Sequence, residues 1–286
     1  MSIRNKALIW TIIQIFQTAS LILLTKHLFN LGIEPLNFSY QILLASAVYL
    51  FIFAVIKEPK AITKIDNKAL LGLVLIGVVG GGITYGFGSL GLQKSTAVNY
   101  SFLIQTTILF TPVLAYFILK EHLKPYKLVL MLILLVGTYL ISTNGALSLL
   151  SIGDLFILLS AVAFSLSVVF TKRALRKIST ITFSMYRALF GGLSLLLYLL
   201  ITNEIHLDFN GFWIIVVGFI IAIGIYAMNK VLEYTTASYM QMMYMMVPVI
   251  TAISAYLLFG ELMTPIQMLG GAIIITSGFL VHKFEI

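Results

Sequence analysis

Arg187 is the residue whose chemistry most needs explaining. It stands within an apolar run at 180–202 and is the one formally charged residue well inside any such run. A charge at the bilayer centre costs about 2.5–3.5 kcal/mol on insertion scales, so it turns toward the protein interior or a watery cavity. Its planar guanidinium matches a carboxylate through two parallel hydrogen bonds. The competing role is structural. Arg187 lies roughly 10 Å from the nearer end of its run at 1.5 Å per residue, within reach of snorkelling to the interface.

Uncharged polar groups fall in similar runs. Thr11, Gln14, Thr18 and Thr25 follow helical spacing, with Gln17 beside them, so they share one face of a first span. The matching stripe in a sixth span is Ser160, Ala163, Ser167 and Thr171. Together with Gln41, Tyr85, Asn99, Gln105, Tyr186, Tyr226, Tyr239, Gln241 and Tyr244, the residues Gln14, Gln17 and Arg187 form the candidate lining of a substrate cavity. Hydrogen bonding between helices is the alternative use of such groups, worth about 1 kcal/mol or less per contact. Pro112 and Pro248 sit near mid-span. Each removes a backbone donor and permits a kink, which makes them candidates for gating. The stretch Tyr239 to Met246 holds five methionines, suited either to an adaptable pocket wall or to plain gap-filling. Gly77, Gly80, Gly81, Gly82, Gly86 and Gly88, with Gly191 and Gly192, read as close helix packing.

No catalytic constellation is legible. His27, His122, His206 and His282 are far apart near the ends of the runs, and there is no cysteine. All ten acidic residues lie at helix ends, in loops or near the termini, where Asp154 reads as a helix N-cap. The expectation is a protein that is not an enzyme, with no catalytic residue, no metal and no cofactor. A buried carboxylate of the kind that serves proton coupling is not evident either.

The elements that must position these groups follow from composition. Apolar residues make up 60% of the 286, charged residues only 10%, and mean hydropathy is +1.06, far from the quarter charged of a soluble domain. Runs long enough to span hydrocarbon fall at about 7–28, 36–56, 69–90, 96–119, 126–144, 153–171, 180–202, 211–231, 236–259 and 265–282. The first run is read as a span rather than a cleaved signal. Continuous runs exclude a β-barrel. If the N-terminus is cytoplasmic, fifteen of the eighteen Lys and Arg fall in inner segments and only Lys26 and Lys94 in outer loops. This bias expects both termini in the cytoplasm.

The halves repeat. At a spacing of 140, Ser95-Thr96-Ala97 matches Thr235-Thr236-Ala237, Glu121 matches Glu261, and Pro125 matches Pro265. At a spacing of 146, Thr25-Lys26 matches Thr171-Lys172, and Tyr40-Gln41 matches Tyr186-Arg187. Five spans per copy force the second copy to enter upside down, an arrangement of carriers that alternate between two faces. The expected units are 1–146 and 147–286.

These paired motifs, with Glu121-His122-Leu123-Lys124-Pro125, Gly260-Glu261-Leu262-Met263-Thr264-Pro265 and the closing glycines Gly137, Gly270, Gly271 and Gly278, resemble drug/metabolite transporters of the EamA type over almost the whole chain. The resemblance implies an all-α membrane protein with ten helices in two inverted five-helix repeats. Spans one to four and six to nine would surround a central cavity, with the fifth and tenth outside. It further implies a secondary transporter in the cell membrane that exports amino acids or related compounds; a drug, sugar or nucleoside-type metabolite is the alternative cargo, and a non-transporting membrane scaffold or an intramembrane enzyme the alternative class. Two positions depart from the pattern: Gln41 stands where the second half has Arg187, and Lys120 precedes Glu121 where glycine is usual. The partners expected are the lipid bilayer and a small-molecule substrate, with no nucleic acid; monomer and homodimer fit the sequence equally.

Overall fold

The structure is a computed structural model that describes residues 2–59, 67–95, 97–122, 124–143, 145, 151–206, 211–259 and 262–285. No strand occurs among the described residues. Hydrocarbon offers no hydrogen bonds, so each span must satisfy its own backbone as a helix. Nine helices are long and apolar enough to cross a bilayer among the described residues. The remaining run, the ninth, is present as two shorter helices placed end to end.

In chain order the spans are α1 (Ile3–Asn30), α2 (Pro35–Lys57), α3, α4, α5 (Pro125–Thr143), α6 (Ile152–Ala174), α7 (Thr180–Thr202), α8 (Gly211–Tyr234), α9 and α10 (Pro265–Glu285). Three are composite. α3 joins Asn67–Gly77, a π-helical turn at Val78–Ile83, and Thr84–Lys94. α4 joins Ala97–Leu103, a 3₁₀ turn at Ile104–Thr106, and Thr107–Leu119. α9 joins Ala237–Tyr244 and Val247–Phe259.

Local chemistry starts the helices where orphan N–H groups need partners. Glu34 caps α2 by accepting from the Asn37 N–H at 2.6 Å, with Pro35 in the first turn. Thr236 accepts from the Tyr239 N–H at 3.0 Å and caps α9. At α6 the cap is Ser151 rather than Asp154. The Asp154 carboxylate reaches back to the Ser151 N–H at 2.8 Å, while the Ser151 hydroxyl accepts from the Asp154 N–H. The reciprocal box uses both residues, which places the acid three positions inside the helix.

The inverted repeat is visible in which helices touch. α2 packs on α7, α5 on α10, and α4 on α9, each helix against its own counterpart in the other half. α3 packs on α6 just as α8 packs on α1, and α3 meets α7 just as α8 meets α2. Exchanging the halves leaves these packing pairs unchanged. Arg4 Nε donates to His282 Nε2 at 3.3 Å, so both termini lie on one face, called here the terminal face.

Two lysines repeat the same bond on opposite faces. Lys26 Nζ donates to the carbonyls of Leu92 (2.8 Å) and Ser95 (2.9 Å) at the end of α3. Lys172 Nζ donates to the carbonyls of Leu232 and Thr235, both at 2.5 Å, at the end of α8. Each ammonium fills the orphan carbonyls of a helix C-terminus and complements its dipole. Each also ties the first helix of its half to the third. On the terminal face, Glu121 accepts from the Ala237 N–H and the Ser238 hydroxyl, both at 3.0 Å, and so fastens the end of α4 to the start of α9.

Outward-facing positions stay apolar. Leu128, Leu132 and Val136 of α5, with Leu269, Ile275 and Phe279 of α10, are all exposed. An apolar belt of this extent belongs against lipid.

Candidate functional site

Eight of the ten spans enclose an internal cavity of about 130 Å³. A cavity of ~150 Å³ admits a benzene-sized ligand, so the space suits a small solute. α1 supplies Gln14, Gln17, Thr18, Leu21, Ile22 and Thr25, whose alternating steps of three and one keep them on one helical face. α3 supplies Thr84, Tyr85, Gly88, Ser89 and Leu92 with the same rhythm. The remainder comes from Ile42 of α2, Tyr100 and Ile104 of α4, Phe164 of α6, Arg187 of α7, Gly224, Ile225 and Met228 of α8, and Tyr244 of α9. Neither α5 nor α10 contributes.

The cavity runs from mid-membrane, at Gln14, Arg187 and Tyr244, toward the face opposite the termini, at Thr25, Leu92 and Tyr100. Toward the terminal face it is stopped by packed apolar side chains. Tyr239, Met240, Met242, Met243 and Met245 are buried there with Val231 and Leu232.

Arg187 is the only formally charged residue in the lining among the described residues. It is 3% exposed, and its two polar contacts among the described residues are weak neutralisers: Nη2 donates to the Gly80 carbonyl at 3.1 Å, and Nη1 faces the Met228 sulfur at 3.7 Å. Its Nε has no hydrogen-bond partner. No carboxylate among the described residues lines the cavity. The Gly80 carbonyl is presented by the π-helical turn of α3, a distortion common at functional sites. A side chain at Gly80 would collide with Ser167, its Cβ lying 1.9 Å from the hydroxyl oxygen.

Aromatic groups form much of the remaining wall. Phe164 and Tyr244 stack with centroids 5.9 Å apart, and Tyr85 and Tyr100 stand in the same lining. The two amides are held differently. Gln14 Nε2 points at the Met240 sulfur at 3.7 Å, whereas Gln17 Oε1 accepts from the Thr18 hydroxyl at 3.2 Å.

Gln17 also lies across Gly224, where an added Cβ would fall 2.0 Å from its Oε1. Gly224→Ala is therefore expected to push the Gln17 amide into the cavity while leaving the backbone in place, because the obstructing atoms end a flexible side chain. The expected result is an effect of order 1 kcal/mol, read as a several-fold rise in the substrate concentration for half-maximal transport. The melting temperature should stay within a few degrees. A collapse in folded yield with no change in transport would contradict it.

Of the twelve candidate lining residues, Gln14, Gln17, Tyr85, Arg187 and Tyr244 come together here. The side chain of Asn99 lies outside the described residues. Six others are placed elsewhere. Gln41 and Tyr186 do not reach the lining, and Tyr186 stacks on Phe190 with centroids 5.7 Å apart. Tyr226 packs edge-on against Trp10 and Phe53, at 5.3 and 5.4 Å. Tyr239 bonds through its hydroxyl to His282 Nδ1 at 3.0 Å. Gln105 and Gln241 act as reciprocal clamps between α4 and α9. Gln105 Nε2 donates to the Tyr244 carbonyl at 3.5 Å, and Gln241 Nε2 donates to the Thr107 hydroxyl.

The prolines explain one of those clamps. Pro248 cannot donate to the carbonyl four residues back, that of Tyr244, and this is the carbonyl Gln105 approaches. Pro248 falls in the first turn of Val247–Phe259, directly after the break at Met245 and Met246, a position where proline is tolerated. Pro112 sits inside the helix Thr107–Leu119.

Tyr100, Thr84, Ser89, Phe164 and Gly224 line the cavity but carried no sequence signal strong enough to single them out. A helical-face test centred on Tyr85 would have found Ser89, four residues on.

Ten spans in two inverted halves around a central cavity define a polytopic membrane transporter. The chain belongs to the EamA-like transporter family, whose profile matches residues 5–143 and again 151–282. It is 26% identical over 266 residues to the "Uncharacterized transporter YoaV" of Bacillus subtilis (strain 168), covering 88% of each chain. It is 25% identical over 272 residues to an "Uncharacterized transporter" of Clostridium kluyveri, covering 88% of this chain and 84% of that one. A solved crystal structure shares the fold with a TM-score of 0.75 at 14% identity, over 96% of this chain and 98% of the other.

Proposed function

We propose that this transporter is a secondary carrier, not an enzyme, which moves a small carboxylate-bearing metabolite by alternating access. Amino acids or related compounds, carried outward across the cell membrane, are the class it fits best. One observation carries the reading: a buried guanidinium faces a solute-sized cavity in which no acidic side chain among the described residues answers it. Arginine is suited to bidentate recognition of a carboxylate, and the rings of Tyr85, Tyr100, Phe164 and Tyr244 suit an apolar or aromatic portion.

Both termini are assigned to the cytoplasm on the distribution of Lys and Arg, so the cavity opens toward the outer face. The two working units are residues 1–146 and 147–286, which rock against each other around the site. The partners in this reading are the lipid bilayer and the small solute.

The test is uptake and efflux by purified protein in liposomes without ATP, using labelled amino acids and the corresponding 2-oxo acids with their amides as uncharged controls. Carboxylates should move at least about tenfold faster than the amides, the scale on which loss of an Arg–carboxylate pair is felt. Equal rates for acid and amide would remove Arg187 from substrate recognition.

A further inference from the structure

We propose that the carrier works by exchange: a carboxylate carried one way is the requirement for the next conformational stroke, and the empty cavity crosses slowly. The inference rests on the carboxylate reading above and extends it to the mode of transport.

A fixed charge lines a cavity that has to close. A guanidinium has five N–H donors and no acceptor. Here the Gly80 carbonyl and the Met228 sulfur are the protein partners, and Nε has none. While the cavity is open, water completes the shell of the cation. Alternating access requires a state closed on both faces, in which that water is largely lost. Enclosing an uncompensated ion costs several kcal/mol even after relaxation.

Three escapes used by other buried cations are closed to this one. Arginine does not shed its proton in proteins, so the empty cavity cannot become neutral as a lysine or histidine site can. Among the described residues no Asp or Glu lines the cavity to serve as an internal counter-ion. Nor can Arg187 readily swing to the interface, because Gly80 and Ser167 close around it: a Cβ on Gly80 would lie 3.1 Å from Arg187 Nε and 1.9 Å from Ser167 Oγ. A bound carboxylate supplies the missing charge and fills the open donors. The loaded cavity is therefore the form that closes at lowest cost.

The aromatic wall makes the same point from the other side. Tyr85, Tyr100, Phe164 and Tyr244 can complement a cation or an apolar group through their faces, but they cannot neutralise Arg187. The compensating charge has to arrive with the solute.

The experiment compares initial rates in liposomes reconstituted with the intact protein. Labelled phenylalanine, leucine, phenylpyruvate and 4-methyl-2-oxopentanoate are the probes, each with and without millimolar unlabelled probe on the opposite side. For any probe that moves, the opposing carboxylate should accelerate its flux at least about tenfold, since an ordering penalty above 1.4 kcal/mol is a factor of ten. The opposing amide should give no acceleration. Equal flux into empty and preloaded vesicles overturns the exchange inference and leaves carboxylate transport standing. If no probe moves under either condition, the carboxylate reading fails and this inference falls with it. Arg187→Lys, which retains a cation that can lose its proton, should lower the ratio of exchange to net flux as pH is raised, whereas the wild-type ratio should stay flat. A wild-type ratio that falls in parallel would also count against the proposal.

Discussion

Arg187→Met should abolish carboxylate transport and leave the protein no less stable, with a melting temperature equal to or about 2–4 °C above that of the parent. The functional half follows from the loss of a charged, bidentate partner, which costs about 2–5 kcal/mol when one member of a buried pair is removed. The stability half runs against the usual rule that core substitutions destabilise. Arg187 is 3% exposed, its Nε is unpartnered, and no carboxylate shares its cavity. Replacing buried ionic groups with apolar side chains of similar volume is often neutral or stabilising by about 1–4 kcal/mol. Methionine is long enough to lie along the Met228 sulfur that Arg187 already touches, and flexible enough to fill the gap. Against this stands one lost bond to the Gly80 carbonyl, worth about 1 kcal/mol. Thermal melting in detergent and transport in liposomes, measured on the same preparation, check both halves. A variant that melts many degrees lower would make Arg187 a structural anchor first.

Gly191→Val should prevent the protein from folding. At this point α3 and α7 cross with their backbones in contact. A Cβ on Gly191 would lie 2.6 Å from the Gly81 Cα and 3.2 Å from the Gly77 carbonyl oxygen, and a Cβ on Gly81 would lie 2.5 Å from the Gly191 Cα. Backbone cannot step aside as the Gln17 amide can, so the helices must separate. Overpacking of a well-filled core costs about 1–3 kcal/mol and more when backbone must move. In a bilayer, close packing is itself a main source of helix association. Gly72→Ala is the matched control on α3, since nothing lies within 4 Å of its added Cβ; it should be neutral or slightly stabilising by helix propensity. Yield of monodisperse protein after membrane extraction separates the two outcomes. A well-behaved Gly191→Val protein would show that this crossing can relax.

The architecture was legible because the bilayer imposes one rule on every span, and because the repeat left paired residues such as Glu121 and Glu261 at constant spacing. The packing role expected of the glycine cluster is met at Gly77, Gly81 and Gly191. Hidden from a linear reading was the π-helical turn at Val78–Ile83, since nothing in a Gly-rich apolar stretch distinguishes an extra residue per turn from a regular helix.

For the site, helical periodicity in α1 pointed to a polar face, and that face does border the cavity at Gln14, Gln17, Thr18 and Thr25. Thr11 falls below it and bonds to the Ala7 carbonyl at 2.8 Å. Pseudo-symmetry misled where the halves diverge. Tyr85 and Tyr226 are equivalent by sequence, yet only Tyr85 reaches the cavity, while Tyr226 sits among Trp10 and Phe53. The unusual Met and Tyr composition of 239–246 is mostly packing beneath the cavity, with Tyr244 alone turned into it.

Lys26 bears on how membrane topology is read from charge. As one of only two basic residues in the loops opposite the termini, it looks like noise in an otherwise one-sided distribution. Its ammonium is engaged by the Leu92 and Ser95 carbonyls, as that of Lys172 is by Leu232 and Thr235. The lysine is there for a helix end, whichever leaflet that end has come to occupy. Duplication followed by inversion carries the same fastening to both faces of the protein, so one of the two lysines must lie on the face where other basic residues are scarce. Side-counting works best in such proteins once charges already committed to a partner are set aside.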